Sequence, residues 1–242
     1  MKKSYVRVMS ALLTVMCVFL GGCSKRNTAN TAEPYYTYED LFRKAGFSKR
    51  TQLMYVAGEE TYEDAEALKE AVGEPQTSGV VEWEGSDNKC TSYTLDSEGN
   101  KSGALTYTYR YAKSGERIAK IGNGYYTDYI YKDGKIDRIL RYSGEKKTAD
   151  AVTVMTVEFK YDAEGNNTVV SVHDETEGTM LAYDYKLSYD ENGRLSTIVY
   201  VSDAGNEESH TEFTYNGKGL VASAARYGKD GRLLVLTEYT YE

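Results

Sequence analysis

Proline is nearly missing from this 242-residue chain, with Pro34 and Pro75 the only two and none in the long remainder. A stretch free of proline suits continuous strand pairing, because proline removes a ladder donor. Histidine is as rare: His173 and His210 are all that could serve as ordinary general bases. Neither sits in a GxSxG or HExxH motif, and phosphate-loop and dinucleotide fingerprints are missing too. The three cysteines, Cys17, Cys23 and Cys90, include no pair spaced for zinc. The turn carboxylates Asp162, Glu164, Asp190 and Glu191 lack the spacing of a calcium loop. The longest apolar run, residues 11–20, is too short to cross a bilayer as a helix. What the chain has in excess is tyrosine, 24 against 5 phenylalanines.

The tyrosines fall in segments separated by one recurring turn signal. A type I turn favours Asp, Asn or Ser at its first position and Gly at its fourth. Residues 96–99, 162–165, 190–193, 202–205 and 216–219 match, while 112–115 and 228–231 keep only the closing glycine. A tighter turn falls at residues 132–134. Spacings of about 12 to 14 residues between turns leave about 8 to 10 per strand, or roughly 30 Å. The fold class is therefore mainly β: an antiparallel β-meander, as an open curved sheet or a partly closed barrel, over residues 79–242.

A left-handed glycine at the turn brings a bulge, so the first turn residue pairs with the residue after the glycine. This predicts Asp190 opposite Arg194, Tyr189 opposite Leu195, Leu187 opposite Thr197 and Tyr185 opposite Val199. Carried through the later turns, odd positions share one face: Tyr183, Tyr185, Tyr189, Leu195, Val199, Phe213, Tyr215, Val221, Tyr227, Leu233, Tyr239 and Tyr241. Even positions, with Asp184, Lys186, Glu208, His210, Glu212 and Arg226, form the wet face. Glu208, His210 and Glu212 beside Arg226 read as a solvated surface, so no metal site is assigned. The central rings are expected to be buried. Tyr183, Tyr239 and Tyr241, at the margin, are expected to stay partly open as candidate binding residues, since a phenol can pack its ring and keep its hydroxyl wet.

The segments EFKYDAEGN (158–166), KLSYDENGRL (186–195), EFTYNGKGL (212–220) and ARYGKDGRL (225–233) resemble the YD, or Rhs-type, repeats of bacterial surface and toxin-shell proteins. In that family long arrays roll a β-sheet into a shell around a cargo. The resemblance implies a rolled sheet here; the core signature that follows the family's repeats does not occur before Glu242.

Residues 1–22 carry Lys2, Lys3 and Arg7 ahead of the short apolar run and end in Leu20-Gly21-Gly22 before Cys23. This resembles a bacterial lipoprotein signal peptide with its lipobox. The resemblance implies that Cys23 becomes the first mature residue, carries a diacylglycerol and tethers the chain to the membrane of the cell envelope. With Ser24 next, sorting would be to the outer membrane of a two-membrane cell, and otherwise the outer face of the cytoplasmic membrane. Removing the signal takes three basic and no acidic residues, so the formal charge moves from −8 to −11. An acidic chain of this kind is a poor partner for nucleic acid.

Residues 23–34 are polar and unpatterned, a flexible tether. Residues 35–78 read as a small helical N-terminal segment. One helix follows Thr37 and stops at Gly46; another lies between Thr61 or Asp64 and Gly73. Between them TQLMYVA (51–57) fits a short strand or a helix continuation. Residues 61–85 also resemble the helix, Gly-x-Pro turn and Trp-bearing strand of lipoproteins with β-lactamase-inhibitor-like or outer-membrane-assembly domains, through Leu68, Val72, Gly73, Pro75 and Trp83. That resemblance implies protein binding.

Three functions follow. The chain is a non-enzymatic binding or structural module for a partner protein or envelope glycan, an immunity- or assembly-type lipoprotein acting through its N-terminal region, or an envelope hydrolase. The first is the reading adopted, with no catalytic residue and no cofactor assigned.

Overall fold

The computed structural model describes residues 36–242 apart from 59, 61, 63, 86–87 and 176–180. The signal segment, Cys23, the tether and Thr61 lie outside the described residues. The chain order is α1 (Tyr38–Lys44), β1 (Lys49–Val56), α2 (Ala65–Val72), β2 (Thr77–Trp83), β3 (Lys89–Leu95), β4 (Lys101–Tyr111), β5 (Arg117–Gly122), β6 (Tyr125–Lys132) and β7 (Lys135–Ser143). It continues with β8 (Thr153–Tyr161), β9 (Asn167–Asp174), β10 (Leu181–Tyr189), β11 (Leu195–Ser202), β12 (Glu207–Tyr215), β13 (Val221–Gly228) and β14 (Leu233–Tyr241). Every strand pairs antiparallel with its sequence neighbours, and β14 returns to β1 to close a barrel of fourteen. The stretch 51–57 is thus mostly strand, and it supplies the closing seam. Residues 35–78 are not a separate helical unit, since β1 and the start of β2 belong to the barrel wall.

The turns form as their residues dictate. At 190–193 the Gly193 N–H donates to the Asp190 carbonyl at 2.9 Å, and Asp190 Oδ1 accepts from the N–H groups of Asn192 and Arg194. Asn216, Asp162 and Asp96 repeat this arrangement at their own turns. The left-handed conformation falls on the closing glycine, for example Gly193 at φ 73° and Gly219 at φ 76°.

The register departs from the odd-face expectation by one residue per hairpin. Tyr189 does pair with Leu195, but Ser188 then pairs with Thr197, leaving Ser196 as an added bulge residue. Ala222, Leu234, Thr168 and Ile118 take the same place in their hairpins. The expected pairings of Leu187 with Thr197 and Tyr185 with Val199 are therefore replaced by Ile198 and Tyr200. The physical reason is that a bulge puts two residues opposite one, so each side chain beyond it changes face. Inward positions follow a spacing of three after each such turn, as in Leu195 and Ile198 or Val221 and Ala224. Val199, Tyr227 and Leu233 consequently lie on the outer face, and Arg226 points inward.

A wall of about eight strands encloses just enough room for its own side chains, so a barrel of fourteen needs more filling. Long aromatic side chains and helix α1 supply it. Residues from β6 to β14, including Tyr129, Ile136, Phe159, Val170, Tyr185, Ile198, Phe213 and Tyr239, meet in one core cluster across the lumen. In the other half Tyr38 and Phe42 of α1 pack on Val81, Trp83, Cys90, Tyr109 and Leu220. On the outside, α2 lays Leu68 and Val72 on Tyr55, Leu233 and Leu236. Asp64 caps α2 through the Ala67 N–H at 2.8 Å, and Gly73 ends it at φ 73°. Elsewhere the outer wall carries charged residues among a few apolar ones such as Leu140 and Val199: β8 presents Glu158 and Lys160, β10 Asp184 and Lys186, and β12 His210 and Glu212.

Candidate functional site in the barrel lumen

The densest chemistry lies where α1 enters the lumen. After the turn at 112–115, Arg117 pairs with Tyr111 and Lys120 with Tyr109, with Ile118 added as the bulge residue. The same spacing of three that buries Leu195 and Ile198 therefore turns both cations inward. Simple alternation would have sent Lys120 to the outside.

Both cations meet the first acids of α1. Glu39 accepts from Arg117 Nη1 through Oε2 and from Lys120 Nζ and the Tyr109 hydroxyl through Oε1, each at 3.0 Å. Asp40 accepts from Arg117 Nε at 3.0 Å through Oδ2, and its Oδ1 lies 2.9 Å from Arg117 Nη2. The Tyr111 hydroxyl donates to Asp40 Oδ1 at 2.6 Å. Trp83 Nε1 donates to the Glu39 backbone carbonyl at 2.9 Å, which fixes the helix itself. Arg117 lies over the rings of Tyr109 and Tyr129, and Lys120 over Tyr107. Beside this cluster Arg50 stacks on Tyr38 at 3.9 Å and on Tyr239 at 4.9 Å.

All four carboxylate oxygens are thus engaged, and the side chains of Arg117, Glu39 and Asp40 are almost fully shielded from water. Burial alone would raise the Glu39 pKa, yet Lys120, Arg117 and hydrogen bonds bring it down to about 2. Burial acts against the charge of Lys120 as well, but Glu39 keeps it raised above its ordinary value. The Cys90 thiol, buried in the same cluster, is pushed up to about 12 by burial and then by Glu39. It is therefore protonated and inert at neutral pH. The arrangement is a lock: it holds α1 inside the wall and keeps Glu39 ionised, so that this carboxylate is not available as a general acid at neutral pH.

The sequence-predicted residues lie elsewhere in the lumen or outside it. Tyr183 and Tyr239 face inward and are 7 % and 8 % exposed, which corrects the expectation that they stay partly open. Closure of the sheet covers the margin that an open meander would have shown. Tyr241 is half-buried as expected, and its hydroxyl donates to the Val221 carbonyl at 2.8 Å. Of the central rings, Tyr185 and Phe213 are buried and Tyr189 and Tyr215 half-buried. His173 is exposed on the outer wall; His210 stacks on Tyr227 at 5.0 Å, on the opposite face from Arg226. Among the described residues no group of three His, Cys, Asp or Glu is arranged to hold a metal ion.

The excess of tyrosine has a structural cause. Tyr161, Tyr189, Tyr215 and Tyr241 each close an even-numbered strand and donate their hydroxyls to the carbonyls of Ile136, Asn167, Leu195 and Val221, at 2.5 to 2.9 Å. Each acceptor is the inward residue just before a bulge in the preceding hairpin. The phenol thus reaches a backbone oxygen that the interrupted ladder serves poorly, which phenylalanine could not do.

In the sequence the acid pair Glu39–Asp40 stands out only as two acids in the first turn of a helix, where negative charge is favourable. The signal that could have exposed it is Arg117, a charge at the register position where equivalent hairpins place Leu195 and Val221.

No family model matches the chain, and no curated protein does. Among solved structures it is similar to a porin-like protein from Bacteroides uniformis at 11 % identity and TM-score 0.37, covering 81 % of this chain and 96 % of that one. A porin-like protein from Bacteroides vulgatus aligns at 15 % identity and TM-score 0.34 over 81 % of this chain and 98 % of its own. An outer membrane lipoprotein-sorting protein domain from Vibrio parahaemolyticus aligns at 8 % identity and TM-score 0.27, over 81 % and 84 %. Overlap this loose carries no functional argument, and the fold rests on the strand pairing itself.

Proposed function

We propose that the chain is a non-enzymatic module of the bacterial cell envelope, a lipid-anchored barrel that stands in water and binds a partner protein or an envelope glycan. The observation that carries this reading is the direction of its polarity. A transmembrane barrel turns an apolar band toward lipid and a polar face toward its lumen. This wall does the reverse, with Glu158, Lys160, Asp184, Lys186 and Glu212 outside and aromatic rings within. Such a wall cannot hold itself in a bilayer, so attachment falls to Cys23. The locked carboxylates of Glu39 and Asp40, and histidines placed singly on the outer wall, fit a binding role better than hydrolysis. We read the four repeat-like segments as YD-type units, on the strength of the shared turn, bulge and tyrosine. Residues 61–85 contribute α2 and β2 to the barrel and do not favour a separate N-terminal binding unit.

The test is Cys23→Ser in cells fed labelled palmitate. The expected result is loss of label and release of the chain from the membrane fraction. A chain that stays membrane-bound without label would mean that the barrel itself is held by lipid.

A further inference from the structure

Another inward arginine lies near the opposite rim of the barrel, and it is not paired like Arg117. Arg226 sits late in β13, opposite Thr211 and Val235 on the inner face. Its Nη2 donates to Ser209 Oγ at 3.3 Å, while its Nε is buried with no hydrogen-bond acceptor. No carboxylate contacts it among the described residues. Its electrostatic neighbours are phenols: burial lowers its pKa, and Tyr185 and Tyr200 oppose that only weakly. Those rings and Tyr183 form a cluster with centroids 5.2 to 6.1 Å apart. Around the cluster, Asp174 and Arg141 act on Tyr183, and Asp203 and Glu208 act on Tyr200, with Glu208 lying near Lys229. Arg226 and Tyr200 are half-buried, so water reaches both.

A guanidinium offers a planar fork that fits a carboxylate, and burial without a counter-charge makes an incoming anion favourable. A phenol beside it offers a flat apolar face with a polar edge, suited to the ring of a sugar. We propose that this mouth of the lumen binds a sugar carboxylate, the acid group on Arg226 and the pyranose ring against Tyr200. The inference gives the binding module of the preceding section a ligand class, and rests on that reading without depending on the lipid anchor.

The experiment is calorimetric titration of the full chain in detergent with D-glucuronate, D-glucose, acetate and inorganic phosphate. Glucuronate should bind saturably, with each of the other three at least about tenfold weaker. Arg226→Gln should lose about tenfold or more in glucuronate affinity while keeping its thermal midpoint, because the charge it removes has no buried partner. Tyr200→Leu, at a half-buried position, is the second variant and should weaken glucuronate several-fold. Equal binding of glucose would overturn the role of Arg226, and equal binding of acetate or phosphate would overturn the sugar. Unchanged affinity in a folded Arg226→Gln or Tyr200→Leu chain would overturn the site. Failure here leaves the anchored barrel to be judged separately by Cys23→Ser.

Discussion

The two halves of the lumen solve the same filling problem with different chemistry. Across β6 to β14 the wall closes on itself with Ile136, Val157, Val170, Ile198 and Phe213, and the polar contacts there include phenol hydroxyls on backbone carbonyls and, near one rim, Arg226 on Ser209. Around α1 the space is filled by a helix whose first turn is charged, and two acids and two cations are brought together out of water. The dry half is held by uncharged side chains, so its packing does not depend on an ionisation state. The charged half is conditional, because each buried charge is stable only while its partner is present and ionised. The teaching is that the same bulged hairpin yields either half, depending on whether the residue after the turn is Leu195 or Arg117.

The sharpest way to break the contrast is to remove one charge. Arg117→Ala leaves Glu39 and Asp40 buried without their shared partner and should destabilise by about 3 to 5 kcal/mol. Denaturant melts would show it, together with loosening of α1 in hydrogen exchange while β9 to β12 stay protected. A smaller effect comes from acid. With its pKa held at about 2 in the folded chain, against an ordinary 4.5, Glu39 binds fewer protons when native than when unfolded. Its contribution is therefore fully present above about pH 4.5 and is lost as pH falls toward 2, a change of about 3 kcal/mol. Urea melts at pH 7, 4 and 2.5 would measure it; Glu39→Gln should flatten the acid limb, and an unchanged limb would dissociate it from this carboxylate. The smallest effect belongs to the dry half. Tyr215→Phe keeps the ring and deletes only the donor to the Leu195 carbonyl, and should cost about 1 kcal/mol with no dependence on pH below 7.

Much of the wall was legible in the sequence. Asp190, Asn216 and Asp162 announced their turns because a short acceptor side chain and a left-handed glycine satisfy local geometry that needs no tertiary help. Tyr189 opposite Leu195 followed from that geometry alone. The face of Val199, Tyr227 and Arg226 did not, since the added bulge lies beyond the turn and is flanked by a carbonyl that a tyrosine of the neighbouring strand engages.

What the sequence by itself determined is the repeating hairpin, the proline-free strand run and the polar character of the outer wall, because each depends on neighbours within a dozen residues or so. Tertiary structure decided the closure of β14 on β1, the placing of α1 inside the lumen, and the meeting of Glu39 and Asp40 with Arg117 and Lys120. Those partners lie 77 to 81 residues apart along the chain. No local preference of an acid at a helix start says which cation it will meet; only the closed wall, by excluding water, makes that pairing obligatory.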